Sequence, residues 1–358
     1  MMKSLYLAFL FLSFFLYACG GGGSAKKSLT DDQSSVFYSL SNKTNNSLSD
    51  IQTVVDSIDE LSHLNPIYDV TTYKLEYNTF NTKNEEIKVS GLVAVPNTVA
   101  ASPILSFQHG TIFKNNSAPS FQLKVSKKSP EILFASLGYI VFSPDYIGYG
   151  TSFGEEHPYL QKNPSADSVI DMLKAGKFFL KKEGIATNNK LFLTGYSQGG
   201  YVTMAALEAL QNAQENDLSV TAAVLGAGPY DVYTILNELL HHINKLPSSF
   251  DKEIIKTLKS FLIKKDADVS FDDAFLQHYL NKDKSDDVYR WKPNIPLKLF
   301  HGKDDKTVPI EAAISTQKYM KGVGADVELV NCTAKPATHS ACALPYLNYT
   351  INYFSTFH

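Results

Sequence analysis

Six short apolar runs recur along the chain, and most of them are separated by segments long enough to form a helix. The runs cover residues 104–108, 139–143, 191–194, 222–225, 297–300 and 327–330. Buried strands that alternate with helices are typical of a mostly parallel sheet with helices on both faces. The sequence therefore predicts an α/β fold, and its 358 residues, 44% of them apolar, are enough to fill one large core.

Other patterns indicate how the chain is organised around this sheet. Residues 48–64 have helical spacing, and residues 73–80 and 87–95 are predicted to form a hairpin. The interval 231–293 breaks the alternation. It contains three helical patterns and no strand pattern, at 233–243, 254–263 and 271–279. We predict one large α/β domain at residues 50–358 with this interval inserted as a helical cap, whose apolar faces either border a ligand site or pack only on the core.

The first residues have the features of an export signal. Lys3 precedes an apolar run, and the sequence Leu-Tyr-Ala-Cys at residues 16–19 resembles the lipobox of bacterial lipoproteins. This resemblance implies removal of residues 1–18 and lipidation of Cys19. Because Gly20 follows instead of Asp, it also implies sorting to the outer membrane of a Gram-negative cell. An ordinary cleaved signal is the alternative. Residues 19–49 are rich in polar residues and are predicted to form a flexible tether.

Composition argues against several classes of protein. The 33 basic and 36 acidic residues give a net charge of −3 with no long basic run, so a nucleic-acid partner is not expected. One apolar stretch, residues 5–17, approaches membrane-spanning character, but it is shorter than the roughly 20 residues that a spanning helix needs. We therefore expect contact with a membrane only through a lipid at Cys19.

Two segments match the Gly-x-Ser-x-Gly pattern of a nucleophile elbow, in which a serine lies on a sharp turn between a strand and a helix. They are centred on Ser197 and Ser152. Residues 190–194 before Ser197 are strand-like, and residues 200–207 after it are typical of a helix with small residues near its start. Ser152 has neither flank, since an irregular segment precedes it and Pro158 follows closely. The sequence predicts Ser197 as the nucleophile and Ser152 as a chance match.

A nucleophilic serine needs a base, and the base needs a carboxylate that orients it. In this architecture the acid and then the histidine follow the serine in the chain. After the predicted strand at 297–300, the sequence His-Gly-Lys-Asp-Asp-Lys-Thr-Val-Pro resembles the His-Gly-x-x-Asp-x-x-Val-Pro segment of many α/β-hydrolases. The resemblance aligns the acid with Asp305, and the neighbouring Asp304 is the alternative.

Two histidines, His339 and His358, follow the last predicted strand. His358 is the final residue of the sequence, with nothing after it to fix its position. His339 directly precedes an apolar pattern at 344–354 that is typical of a closing helix. We therefore predict His339 as the base.

Acyl transfer also needs hydrogen-bond donors for the oxyanion that develops on the substrate. The backbone N–H of Gln198, next to the serine, is one predicted donor. The second is expected in the loop after the strand at 104–108. There, His-Gly-Thr at 109–111 resembles a His-Gly-x loop in which the residue after glycine donates, which implies Thr111.

These motifs together resemble the α/β-hydrolase superfamily, and more narrowly its secreted esterases and lipases. Segments at 144–150, 157–160 and 228–231 look like those of secretory-lipase-like esterases, and the resemblance covers roughly residues 70–358. It implies a serine hydrolase that cleaves carboxylic esters of small molecules or lipids through an acyl-enzyme intermediate. A departure is the absence of a His-Gly-Gly-Gly oxyanion motif. The alternatives are a serine peptidase of the same fold and a surface lipoprotein that binds a ligand without catalysis.

No cofactor and no metal are predicted. The chain has no His-Glu-x-x-His, no Cys-x-x-Cys and no complete glycine motif for phosphate or dinucleotide binding. If Cys19 carries lipid, the other two cysteines, Cys332 and Cys342, remain in a compartment that permits disulfides. They are predicted to pair, with two free thiols as the alternative. A bridge would close the loop that contains His339.

Overall fold

A computed structural model describes residues 38–213, 216–242 and 251–357 of the chain. Within them runs one nine-stranded sheet. Its strands are β1 (Tyr38–Asn46), β2 (Val70–Phe80), β3 (Glu86–Pro96), β4 (Ser102–Gln108), β5 (Ile140–Pro144), β6 (Thr187–Tyr196), β7 (Ala222–Gly226), β8 (Leu297–His301) and β9 (Val327–Asn331). Their order across the sheet is β1-β2-β3-β5-β4-β6-β7-β8-β9.

The sheet has a parallel part and an antiparallel edge. Strands β5, β4, β6, β7, β8 and β9 are parallel neighbours. Strands β1, β2 and β3 extend the sheet in antiparallel fashion beside β5. The carboxyl ends of the six parallel strands therefore lie at one end of the sheet, where ligand sites of open α/β sheets are usually found.

Helices cover both faces of the sheet. They are α1 (Leu48–Asp56), α2 (Pro130–Ser136), α3 (Lys162–Lys182), α4 (Gln198–Ala213), α5 (Val232–His242), α6 (Asp251–Leu262), α7 (Ala274–Leu280), α8 (Glu311–Gly322) and α9 (Ala343–Ser355). Successive residues of β6 point to opposite faces: Phe192 packs with α1, α2 and α9, whereas Leu191 and Leu193 pack with α3, α4 and α8. The predicted α/β-hydrolase class, with a mostly parallel sheet, is confirmed.

Three helices, α5, α6 and α7, occupy the interval between β7 and β8 for which a cap was predicted. The third begins later than its pattern, at Ala274 instead of residue 271. The reason is that residues 270–272 are extended and pair with His157: the N–H of His157 donates to the carbonyl of Ser270, and the N–H of Asp272 donates to the carbonyl of His157. A backbone committed to this pairing cannot also start a helix.

The predicted tether is wrong for residues 38–49. Residues 38–46 form β1, which pairs with β2, and α1 begins at Leu48. The buried Asn46 joins this strand to the rest of the protein, since its Nδ2 donates to the carbonyl of Leu123 at 3.0 Å and its Oδ1 accepts from the N–H of Val125 at 2.8 Å. An edge strand is half solvated, so its polar composition resembles that of a linker. The rest of the predicted tether, Cys19 and the signal at 1–18 lie outside the described residues.

Replacing Asn46 with Ala is expected to lower the free energy of unfolding by about 1–3 kcal/mol, because the half-buried N–H of Val125 loses its acceptor. Urea unfolding measures this change. Ser41→Ala, on an exposed position of the same strand, is the control and should change stability by less than about 0.5 kcal/mol. Equal effects of the two substitutions would contradict the role of Asn46 as the anchor of β1.

Candidate active site

Ser197 lies on the sharp turn between β6 and α4. The strand ends at Tyr196 and the helix begins at Gln198, so a single residue connects them. Its φ is 60°, a left-handed conformation that residues with side chains rarely adopt. The N–H of Ser197 donates to the carbonyl of Gly226, at the end of β7, over 2.8 Å. The turn thus presents the serine at the carboxyl end of the parallel strands.

The two glycines of this motif are required by space. A Cβ on Gly199 would lie 2.0 Å from the carbonyl oxygen of Gln108 at the end of β4, and a Cβ on Gly195 would lie 2.4 Å from the carbonyl oxygen of Gly199. Either contact would force α4 away from the sheet. The Gly-x-Ser-x-Gly pattern around Ser197 therefore reflects the close approach of α4 to β4 and β6.

The residues predicted as nucleophile, base and acid lie in hydrogen-bond contact. His339 Nε2 is 2.9 Å from Ser197 Oγ, and His339 Nδ1 is 2.6 Å from Asp305 Oδ2. Because a carboxylate only accepts hydrogen bonds, Nδ1 carries the proton, which leaves the Nε2 lone pair directed at the serine hydroxyl. This arrangement can take a proton from Ser197 Oγ and so make it a nucleophile.

Asp305 remains ionised although it is buried. Burial raises the pKa of its carboxyl, but hydrogen bonds from His301 and His339 and the positive charge that His339 can carry outweigh this effect and hold the pKa below its ordinary value. In addition, the backbone N–H groups of Thr307 and Val308 each donate to Oδ1 over 2.9 Å. The carboxylate is thus fixed by one oxygen while the other contacts the imidazole.

Asp304, the alternative acid, has a different contact. Its Oδ2 accepts from the N–H of Ala337 at 2.8 Å, and its own N–H donates to the carbonyl of Ala337 at 3.1 Å. These bonds join the loop after β8 to the loop that carries His339. The adjacent aspartates therefore act on different parts of the same loop: Asp305 contacts the imidazole, and Asp304 holds the backbone two residues before it.

Ser152, in the second Gly-x-Ser-x-Gly match, is buried in a 3₁₀ turn, Gly150–Ser152. Its Oγ accepts from the N–H of Gly148 and donates to the carbonyl of Tyr149, both over 3.0 Å. The hydroxyl thus binds local backbone, and a Cβ on Gly154 would meet no described atom within 4 Å. Neither the base nor the close helix approach of an elbow occurs at Ser152. His358, the alternative base, lies outside the described residues.

The two predicted oxyanion donors, Gln198 and Thr111, line the same cavity as Ser197 and His339. Gln198 is the first residue of α4, so the helix offers its N–H no acceptor one turn earlier.

The loop that contains Thr111 lies directly against the elbow. A Cβ on Gly110 would be 3.2 Å from the carbonyl oxygen of Tyr196 and 3.6 Å from the Cβ of Ser197. The Oγ1 of Thr111 is 3.1 Å from the hydroxyl of Tyr159, which fixes its side chain. Both predicted donors are therefore on segments that border the serine.

The loop that carries His339 is held at both ends. A disulfide joins Cys332, just after β9, to Cys342, just before α9. The hydroxyl of Tyr196 donates to the carbonyl of His339 over 2.7 Å.

Sequence reasoning missed Tyr196 because it occupies a variable position of the elbow motif. Sequence reasoning also missed His301. Its Nε2 donates to the carbonyl of Val308 at 2.8 Å and lies 3.5 Å from Asp305 Oδ2. The position of His301 at the start of the 301–309 segment could have indicated this role.

A cavity of about 400 Å³ borders Ser197 and His339. Much of its wall is apolar, and the cap contributes Val232, Ile235, Leu236, Leu239 and Leu262. Other cap residues, Leu240 and Leu258, are buried in the core. Part of the cap therefore borders the candidate site, and another part packs on the core of the domain.

The described part of the chain contains no group of three or more His, Cys, Asp or Glu residues that could hold a metal ion. No helix among the same residues is long and apolar enough to cross a membrane.

Known proteins share this fold and parts of this sequence. Residues 131–243 match a family model described as secretory lipase. Lipase A of Moesziomyces aphidis is 26% identical over 183 residues, which cover 46% of this chain and 37% of that lipase. The chain thus spans well under half the length of that relative.

Two crystal structures resemble the whole domain. A candidate hydrolase from Legionella pneumophila is 26% identical, with a TM-score of 0.70 over 89% of this chain and 98% of that one. The rice cell wall degrading esterase LipA from Xanthomonas oryzae is 19% identical, with a TM-score of 0.68 over 88% and 97% of the two chains. The chain therefore has the fold of the α/β hydrolases, and part of its sequence is similar to secretory lipases.

Loss of the disulfide should loosen the loop between β9 and α9. We expect Cys332→Ser with Cys342→Ser to lower the free energy of unfolding by about 2–3 kcal/mol, because the unfolded chain loses a constraint. Hydrogen exchange of the amides of residues 333–335 and 337–341 should become faster, and Ala341→Ser, at an exposed position in the loop, is the control. If exchange in this loop does not change, packing alone holds it.

Proposed function

We propose that this chain hydrolyses carboxylic esters through an acyl-enzyme intermediate, with Ser197 as nucleophile, His339 as base and Asp305 as orienting acid. The observation that carries the proposal is the contact between Ser197 Oγ and His339 Nε2 at the wall of a largely apolar cavity. The match to a secretory-lipase family and the likeness to an esterase support an ester as the bond that is cleaved.

In the first half of the reaction, Ser197 Oγ attacks the carbonyl carbon of the ester while His339 Nε2 takes the hydroxyl proton. The tetrahedral intermediate then collapses, the bond to the alcohol oxygen breaks, and His339 gives its proton to the leaving alcohol. In the second half, a water molecule loses a proton to His339 and attacks the acyl carbon. Ser197 Oγ leaves with that proton, and the carboxylic acid is released. Asp305 stays ionised throughout and stabilises the imidazolium.

The oxyanion of both intermediates needs fixed donors, and we assign the backbone N–H groups of Gln198 and Thr111 to this task. Loss of one such donor typically raises the barrier by roughly 3 kcal/mol. The apolar cap residues would contact the acyl chain, and each buried methylene contributes about 0.8 kcal/mol of binding free energy. Small-molecule or lipid esters with an apolar acyl group are therefore the proposed substrates.

We also propose that the protein is exported and attached to the outer membrane of a Gram-negative cell by a lipid on Cys19, after removal of residues 1–18. The lipobox-like residues 16–19 and the description of the matching family as secretory support this proposal. The disulfide between Cys332 and Cys342 suits an oxidising compartment.

Hydrolysis of p-nitrophenyl esters from acetate to palmitate, beside a panel of peptide anilides, tests the proposed activity. Ser197→Ala should lower kcat for esters by at least about 10⁴-fold without changing the circular dichroism spectrum, because the nucleophile is lost. Ser152→Ala is the matched control from the second motif and should change kcat by less than about tenfold.

Equal losses in the two serine variants would refute the assignment of Ser197. Cleavage of anilides without cleavage of esters would favour a peptidase. If neither panel is cleaved and a fluorophosphonate probe fails to label the protein, a ligand-binding lipoprotein with a silent triad becomes the better explanation.

The aspartates offer a second test. Asp305→Asn should lower kcat by about 10⁴-fold, because an amide no longer holds the imidazole in the tautomer that accepts the serine proton. In Asp304→Asn, the side-chain oxygen can still accept from the N–H of Ala337, so the loss should stay within about tenfold. Steady-state kinetics on a short-chain ester measures both. The reverse order of damage would move the acid to Asp304.

A further inference from the structure

His157 lies at a junction of three parts of the molecule: the loop after β5, the first turn of α4 and the cap. Its buried ring is surrounded by the aromatic rings of Tyr146, Tyr149, Tyr159 and Phe271. Its Nδ1 is 2.9 Å from the carbonyl oxygen of Ile147, and its Nε2 is 2.8 Å from the side-chain nitrogen of Gln198. His157 thus contacts the residue that directly follows Ser197.

These contacts fix the tautomer of the ring and the orientation of the amide. A carbonyl oxygen can only accept, so Nδ1 of His157 carries the proton that it donates to Ile147. In a neutral ring, Nε2 is then an acceptor, and Gln198 Nε2 is the donor. Burial lowers the pKa of His157 to about 3, which keeps the ring neutral at physiological pH.

The bond to His157 is what holds the Gln198 side chain. Among the hydrogen bonds of the described residues, it is the only one that this amide makes, and Gln198 Oε1 is buried without a partner. Gln198 is 2% exposed, so water cannot replace a lost partner easily. Without the acceptor on His157, both polar atoms of the Gln198 amide would be buried and unpaired. The free-energy cost of these unpaired atoms would favour a displacement of Gln198, the first residue of α4.

The backbone of His157 is bound to the cap. Its N–H donates to the carbonyl of Ser270 over 2.8 Å, and its carbonyl accepts from the N–H of Asp272 over 3.0 Å. The position of the ring is therefore set on one side by the cap segment before α7 and on the other by the loop after β5. Both of these segments lie outside the Gly-x-Ser-x-Gly motif, residues 195–199.

We propose that His157 is a positioning residue, which holds Gln198 so that its backbone N–H points at the oxyanion. The inference rests on the proposed function, because it gives His157 a part in stabilising the transition state. The turn at Ser197 is strained, so the next residue needs a fixed point outside the turn to keep its orientation. A displacement of about 1 Å at such a group can cost about 10²-fold in rate.

Two substitutions at His157 test separately the bond that Nε2 accepts from Gln198 and the bond that Nδ1 donates to Ile147. In His157→Gln, the side-chain oxygen reaches about as far as Nε2 and can still accept from Gln198. In His157→Asn, the side-chain nitrogen replaces Nδ1 and can still donate to Ile147, but no acceptor reaches Gln198. Both variants remove the ring, so the loss of aromatic packing is common to the pair.

We expect His157→Asn to lower kcat by about tenfold or more with KM changed by less than about twofold, and His157→Gln to recover most of the lost kcat. The inhibition constant of a trifluoromethyl ketone, whose adduct with Ser197 carries an oxyanion, should rise by the same factor as kcat falls. Gln198→Met should cause a similar loss, and adding His157→Asn to it should cause little more, because both remove one interaction.

The outcomes distinguish this inference from the proposed function. If the unaltered protein cleaves esters but the two His157 variants lose kcat equally, or lose affinity alone, His157 is a packing residue and the inference is overturned. If the unaltered protein cleaves no ester, the proposed function fails, and the inference fails with it. Nitrogen NMR of the ring gives a readout besides activity: the expected tautomer is protonated at Nδ1 only, and a proton on Nε2 at pH 7 would also overturn the inference.

Discussion

The site depends on one constrained turn. Ser197 connects β6 to α4 in a left-handed conformation, and the N–H of Ser197 is bonded to the carbonyl of Gly226 on the neighbouring strand. Such a conformation costs free energy, of order 1–3 kcal/mol, and persists only when the surroundings determine it. Here the parallel register of β4, β6 and β7 does so, because α4 packs so close to β4 that Gly199 has no room for a side chain. The large sheet therefore makes it possible to hold this serine in one position at the wall of the cavity.

His339 and Asp305 reach Ser197 from loops that depend on each other. The loop after β8 presents Asp305, and through Asp304 it also holds the backbone near His339. The loop after β9 is closed by the disulfide between Cys332 and Cys342 and is bonded to the hydroxyl of Tyr196, next to the serine. Each catalytic candidate is thus positioned by a neighbour of another one. This mutual support explains how three residues from different strand ends are held at hydrogen-bond distances from one another.

The sequence allowed prediction of those parts of the site that follow from a local residue pattern. The parallel strands are buried on both faces and appear as apolar runs, and the elbow requires its glycines at fixed spacing, so both leave a clear signal. The edge strand β1 does not, because half of it faces water and its sequence resembles a linker. The contact between His157 and Gln198 leaves no pattern in the sequence either. The two residues are 41 positions apart, and a histidine or a glutamine at such positions could equally be an ordinary buried residue. Asp304 and Asp305 show how far sequence-based prediction extends here. The sequence predicted the loop that carries both residues, but only the structure shows that Asp305 contacts His339 and Asp304 contacts Ala337.

The second Gly-x-Ser-x-Gly segment shows why a pattern needs its surroundings. The loop after β5 contains Asp145, which is fully buried and accepts from Ser90 Oγ at 2.6 Å and from the N–H of Ser120 at 2.8 Å. A Cβ on Gly150 would lie 2.2 Å from this carboxyl, so glycine is needed there to admit the aspartate. The carbonyl of Asp145 in turn contacts the ring of His109, at the start of the loop that holds Thr111. The same residue types thus form the candidate catalytic turn at one strand end and support a neighbouring loop at another. The difference is that the hydroxyl of Ser197 contacts a histidine, whereas that of Ser152 binds the local backbone.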